Sequence, residues 1–260
     1  MGETDALLQF DHVSMVFGKG GGAEGLTALS DISLQVRDGE CVCLLGPSGC
    51  GKSTLLNLVA GFLQPTEGSV TLNGEEIKEP GPDRGMVFQE PTLYNWLSVF
   101  DNVAFGLKMR GVAKTEIRER VTRFLALTGL AGFEQFPPYE LSGGMKQRVA
   151  LSRVLVSDPK VLLMDEPFSA LDPSTRQEMQ SLLDSLQDRR KCTILLVTHD
   201  INEALYLADR ILVFSARPGR IIDEIDLRGV SFTDRRSEII ERPDMTALHK
   251  RIMEAVTQKE

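Results

Sequence analysis

Polar and apolar residues alternate through LLQFDHVSMVF (Leu7–Phe17) and LTALSDISLQV (Leu26–Val36), two runs separated by a glycine loop, Gly18–Gly25. Alternation with a period of two predicts half-buried strands, and two such runs open an N-terminal antiparallel β subdomain. ECVCLLG (Glu40–Gly46) comes next as a short unbroken apolar run of the buried-strand type. The glycine-rich segment after it leads into KSTLLNLVAG, a predicted helix that stops near Gly61. GSVTLNG (Gly68–Gly74) and RGMVFQ (Arg84–Gln89) read as further strands.

From about Glu90 to Asp158 helical spacing takes over, in VFDNVAFGLKMRG, KTEIRERVTRFLALTGL and GGMKQRVALSRVLVSD. Strands return with KVLLMDEP (Lys160–Pro167). They alternate with a helix over Pro173–Arg190, the strand CTILLVTHD, the helix INEALYLAD and the strand RILVFSA. The pattern predicts an α/β fold, residues 1–229, with a helical subdomain inserted over about residues 91–157. The tail, 230–260, is charged and partly helical.

With 260 residues the chain is at the upper size for one domain, or for one domain with an insertion. The net charge of −8 and pI of 5.1 speak against a broad nucleic-acid footprint, which needs a basic surface. They do not exclude a nucleotide, which needs only a few backbone amides and one lysine. Cys41 and Cys43 share one face of a strand, and no histidine lies near them at zinc spacing, so reduced core thiols are expected. Cys50, in the glycine loop, is the thiol expected to be reachable by reagents. The start MGETDALLQF lacks the basic and apolar regions of a signal peptide. No apolar run approaches the roughly 20 residues that span a bilayer. A soluble protein is expected, one that a partner would hold at a membrane.

GPSGCGKS carries the P-loop spacing at Gly46, Gly51, Lys52 and Ser53, after a strand and at the start of a helix. Such a loop curls so that its N–H groups point inward, and the helix start adds partial positive charge for an anion. Lys52 would reach the β- and γ-phosphates, and the Ser53 hydroxyl would face magnesium. The run Gly20–Gly25 also satisfies G-x-G-x-x-G, but LTALSDISLQV directly after it reads as strand, whereas a dinucleotide fingerprint must open a helix. A hairpin loop is the expected structure there.

Asp165 and Glu166 end the run VLLMDE. Neighbours on a strand point opposite ways, so one carboxylate can face magnesium while the other faces elsewhere. Asp165 suits the metal, and Glu166 is placed to take a proton from an attacking water. Gln89 ends its strand with an amide that could accept toward magnesium and donate to water. His199 stands at another strand end, where ligands gather in open parallel sheets.

The ordered set GPSGCGKST, Gln89, LSGGM, VLLMDE, SALD (Ser169–Asp172) and His199 resembles the ATP-binding subunit of an ABC transporter over roughly residues 8–225. The resemblance implies a P-loop NTPase with a RecA-like mixed-sheet core. It implies ATP held by Gly46, Pro47, Ser48, Gly49, Cys50, Gly51, Lys52, Ser53 and Thr54, with Phe17 on the adenine. Magnesium would be taken by Ser53, Gln89 and Asp165. Glu166 would be the general base, with Gln89 and His199 at the γ-phosphate. It further implies a head-to-tail homodimer in which Ser142, Gly143 and Gly144 close on the partner's ATP. That would explain a second anion-type helix start in a chain that already has one.

PGPDRGMVFQE, LSVFDNVAFGL and FSARPGRI resemble the importer branch for nitrate, sulfonates and taurine. The resemblance implies permease subunits, an extracytoplasmic solute-binding protein and a peripheral place on the cytoplasmic side of the membrane. Asn95 before Trp96 departs from the proline common there. Leu93, Tyr94, Trp96, Leu97 and Phe100 suit either a docking groove or a helical core. A soluble ABC ATPase not coupled to transport is the alternative. A GTPase is disfavoured, because N-K-x-D is absent from the sequence.

Overall fold

The computed structural model describes residues 6–18, 25–169, 171–190, 192–228 and 243–257. Residues 19–24 of the glycine loop, Ala170 of SALD and tail residues 230–242 and 258–260 lie outside this set. The expected hairpin loop therefore falls mostly outside it. The chain divides into two compact units, Met1–Gly81 with Lys191–Glu260, and Pro82–Arg190.

In the first unit, β1 (Ala6–Phe17), β2 (Leu26–Arg37), β4 (Glu67–Leu72) and β5 (Glu75–Glu76) form an antiparallel sheet in the order β2-β1-β4-β5. The alternation seen in the sequence becomes alternating burial along β2. β1 shifts register between Phe10 and Val13, and His12 there has φ 47°. That irregularity puts exposed His12 Nδ1 2.7 Å from the Asp31 carboxylate, whose hydrogen bond and charge raise the imidazole pKa.

The same unit holds the parallel strands β3 (Cys41–Leu45), β8 (Thr193–Val197) and β9 (Arg210–Phe214), with β10 (Ile221–Asp226) antiparallel at the edge beside β9. β3, β8 and β9 are buried at every position, which is why they read as unbroken apolar runs. α1 (Lys52–Ala60), α6 (Ile201–Leu207) and α7 (Pro243–Thr257) pack against these sheets, and Ile252 of α7 is fully buried. α1 stops where expected, with Gly61 as its left-handed C-cap at φ 79°.

Glu40, just before β3, is 5% exposed. Its carboxylate accepts from Arg210 at 3.1 and 3.2 Å and from the Arg37 N–H at 2.9 Å. Arg210 also donates to Glu224 at 2.9 Å. The cluster ties β2, β3, β9 and β10 together below the strand that carries the glycine loop. Removing one partner of a buried pair leaves the other uncompensated, so Glu40→Ala is expected to cost about 3 kcal/mol. The urea midpoint should fall with little change in slope.

In the second unit, β6 (Arg84–Val87) pairs in parallel with β7 (Val161–Asp165). α2 (Val99–Met109), α3 (Lys114–Leu127) and α4 (Gly143–Leu155) pack on one another, and Val103, Leu107, Val121, Phe124, Val149 and Leu151 on them are buried. α5 spans Pro173–Arg190. Asp172 accepts from Ser174 Oγ at 2.7 Å and Thr175 N at 3.1 Å, bonds that hold its pKa well below the usual carboxylate range.

Candidate nucleotide site

The first unit carries the glycine loop. β3 ends at Leu45, Gly46–Gly51 turn, and α1 opens on Lys52, Ser53 and Thr54. Gly51 occupies the N-cap position at φ 106°, and no side chain caps the helix. A Cβ there would stand 2.7 Å from Leu29 Cδ2 and 2.8 Å from the Ala28 carbonyl oxygen, so only glycine fits. The amides of the first turn, with no acidic residue beside them, make an anion site in principle.

Lys52 is only 7% exposed. Its ammonium donates to the carbonyls of Gly46 at 2.7 Å and Pro47 at 2.9 Å, which folds the side chain back over the loop. Pro47 is half-buried, and Ser48, Gly49 and Ser53 are exposed. Cys50 corrects an expectation: it is 1% exposed, under the loop and 3.6 Å from Lys52 Nζ, so it is not a reachable thiol. Cys41 and Cys43 are buried as expected, and burial pushes the Cys43 thiol well up.

Phe17 ends β1 opposite Leu26, 38% exposed. His199 comes just after β8 and is exposed; the next residue, Asp200, caps α6 by accepting from the N–H groups of Asn202 and Glu203.

The second unit carries the carboxylates. β7 ends at Asp165, and Glu166 lies one residue beyond it with φ 47°. Strand alternation therefore does not set the direction of Glu166; a left-handed turn does. For a residue with a Cβ that conformation costs about 1–2 kcal/mol, and such strain gathers at functional positions. Gln89 also stands beyond its strand, two residues after Val87. The two meet: Gln89 Nε2 donates to Glu166 Oε2 at 3.2 Å.

Ser142 is the N-cap of α4, its hydroxyl accepting from Met145 N at 3.2 Å. Gly143 is exposed, and a Cβ there would meet nothing within 4 Å. A Cβ at Gly144 would touch Leu171 at an ordinary 3.5 Å. Among the described residues nothing packed against them demands glycine at either position.

Three supporting side chains are not legible in the sequence. Gln147, 1% exposed on α4, donates to the Phe88 carbonyl at 3.4 Å, next to Gln89. Fully buried Asn102 accepts from Tyr94 N and donates to the carbonyls of Tyr94, Leu97 and Ser98. Arg153 donates twice to Thr92 and stacks its guanidinium 5.3 Å from the Tyr94 ring centre. Together Asn102 and Arg153 hold the segment in which Trp96 stands 79% exposed, while Leu93, Tyr94, Leu97 and Phe100 are half-buried. The one available signal is an asparagine on the apolar face of a predicted helix.

The sequence profile of the ABC transporter family matches residues 29–169. An uncharacterized ABC transporter ATP-binding protein of Methanocaldococcus jannaschii is 46% identical over 90% of this chain and 90% of its own. The taurine import ATP-binding protein of Pelagibacter ubique is 49% identical over 83% of this chain and 81% of its own. That of Roseobacter denitrificans is 48% identical over 90% and 92%. A dimeric ATP-binding cassette solved in a post-hydrolysis state with ADP and Pi superposes with a TM-score of 0.78 at 33% identity, over 85% of this chain and 99% of its own. cbiO1 of Clostridium perfringens, part of the ABC transporter complex cbiONQ, superposes with a TM-score of 0.75 at 31% identity, over 95% and 99%. The chain therefore belongs to the ABC transporter family. Within it, this is one of the ATP-binding ATPases.

Proposed function

We propose that the chain powers an ABC importer for taurine or a similar small solute, such as nitrate or another sulfonate. It would work as a head-to-tail homodimer, peripheral on the cytoplasmic side of the membrane, against integral permease subunits and, through them, an extracytoplasmic solute-binding protein. The observation that carries this reading is the 48–49% identity to taurine import ATP-binding proteins along most of their length. Among the described residues no helix is long and apolar enough to cross a membrane, in keeping with a separate permease.

In this reading the backbone N–H groups of Gly46–Thr54, Pro47 having none, and the Lys52 ammonium hold the ATP phosphates, and Phe17 lies on the adenine. Ser53, Gln89 and Asp165 are hard oxygen donors of the kind magnesium takes: a hydroxyl, an amide carbonyl and a carboxylate. Bound magnesium would neutralise charge on the phosphates. Gln89 uses its amide nitrogen on Glu166, so its carbonyl oxygen is the atom for the metal. Glu166 takes a proton from water as the water oxygen bonds the γ-phosphorus. The bond to the β-phosphate oxygen breaks, and ADP leaves with the electron pair. His199 contacts the γ-phosphate.

Ser142, Gly143 and Gly144 serve the partner's ATP. Glycines that the packing of the described residues does not require support that role, since the lack of side chains leaves α4's first amides open to an approaching anion. Ser142→Arg places a bulky cation where the partner must close. ATP affinity of the isolated chain should stay within about twofold, while ATP-dependent dimerisation is lost and turnover drops by about 10²-fold for want of positioning. Size exclusion with and without ATP reads the difference; a persisting dimer would remove this triplet from the interface.

The importer reading is tested by purifying the chain with its permease and measuring uptake of taurine into proteoliposomes. ATP-dependent uptake is expected. ATPase activity indifferent to any permease would favour the soluble, uncoupled alternative.

A further inference from the structure

The sequence SARPGR (Ser215–Arg220) marks the importer branch but has no part in the roles above. In the structure it joins β9 to β10 and is tied to β2. Gly219 N donates to the Ala28 carbonyl at 2.9 Å, and Ser30 N donates to the Gly219 carbonyl at 3.0 Å. Arg220 reaches Ser30 Oγ at 3.2 Å. The loop is also closed on itself: Ser215 N donates to the Arg220 carbonyl at 2.9 Å, and Arg220 N donates to Ser215 Oγ at 3.0 Å.

From this anchored base two contacts reach the phosphate loop. Arg217 Nε and Nη2 both donate to the Gly49 carbonyl, at 3.1 and 2.9 Å. A Cβ on Gly219 would come within 2.0 Å of the Cys50 carbonyl oxygen, so the approach is possible only for glycine. The Gly49 carbonyl and the Cys50 N–H belong to one planar trans peptide and point in opposite directions. Fixing the carbonyl therefore fixes the direction of the Cys50 N–H. That N–H donates to the Pro47 carbonyl at 3.4 Å, the oxygen that also accepts from Lys52, so the peptide closes the turn of the loop.

We propose that Arg217 is a positioning residue for nucleotide binding: it clamps the Gly49–Cys50 peptide, and with it the turn closed on the Pro47 carbonyl, so that the loop is already curled before ATP arrives. Pre-orientation removes an ordering cost that a free loop would meet on binding. The proposal rests on the assignment of this loop to ATP. Arg217 itself is exposed, so it can be changed without opening the core.

The test measures binding of a fluorescent ATP analogue, KM and kcat for MgATP, and thermal midpoint, in Arg217→Met, Arg217→Lys and Lys52→Ala. Loss of a charge-assisted pair of hydrogen bonds is expected to raise Kd and KM about five- to tenfold in Arg217→Met. kcat should stay within about twofold and the thermal midpoint should not move, because the group orients the ground-state loop and holds no reacting atom. Arg217→Lys, which keeps the charge and one donor, should fall between. A Kd for Arg217→Met equal to wild type overturns the proposal. So does a parallel fall in kcat and thermal midpoint, which would mean a merely structural role. Retained affinity in Lys52→Ala would overturn the ATP assignment of the loop itself. Lost affinity there with normal Arg217→Met would overturn the clamp alone.

Discussion

Glu166→Gln is expected to lower ATP turnover by about 10²–10⁴-fold, the usual loss when a positioned general base is removed. The substitution isolates chemistry from shape. Glutamine keeps the size of the side chain and an acceptor oxygen for Gln89, so the 3.2 Å contact can persist. It also leaves unchanged the backbone demand at φ 47°. What disappears is the ability to take a proton. ATP should still bind, and the ATP-bound dimer should accumulate because the step that dissolves it is blocked. Single-turnover assays and size exclusion in ATP read the two effects separately. Turnover within tenfold of wild type would remove Glu166 as the base.

Lys52→Ala is expected to weaken ATP binding by about 10²-fold, since it deletes a charge-assisted contact in a partly dehydrated loop. Without ligand the ammonium already neutralises two carbonyl dipoles, those of Gly46 and Pro47. Deleting it therefore also loosens the loop from within. Lys52→Met keeps the aliphatic stem packed but removes the ammonium and both carbonyl bonds, so its thermal midpoint reads how far those bonds hold the loop. Both variants should lose affinity; a thermal midpoint unchanged in Lys52→Met would assign the loss to the phosphate contact. Titration with labelled ATP checks both.

The strands of the core are legible because burial on both faces leaves a signature that needs no partner information. CVCLL, TILLV and RILVF are apolar at nearly every position and are buried at every position. β10 escapes the pattern for the opposite reason. IIDEID is half acidic, as an edge strand beside solvent can be, and only the P-G turn before it announces a hairpin. β6 stops at Val87, two residues short of Gln89, although Phe88 continues its apolar run, and β7 stops at Asp165, one residue short of Glu166. A place in a glycine loop suggests an open Cys50, yet a tight loop buries the residue on its inner side.

The sequence by itself determined the chemistry on offer: the glycine spacing, the lysine, the two carboxylates and the serine–glycine helix start, because each is a local pattern with a local geometry. Only the tertiary structure decided how those groups are held. The left-handed turn that aims Glu166 has no signature in the spacing, while the amide of Gln89 against its carboxylate and Arg217 clamped on Gly49 from 168 positions away along the chain depend on segments distant in sequence meeting in space. Hydrogen bonds of that kind depend on distance and angle, which no residue spacing encodes.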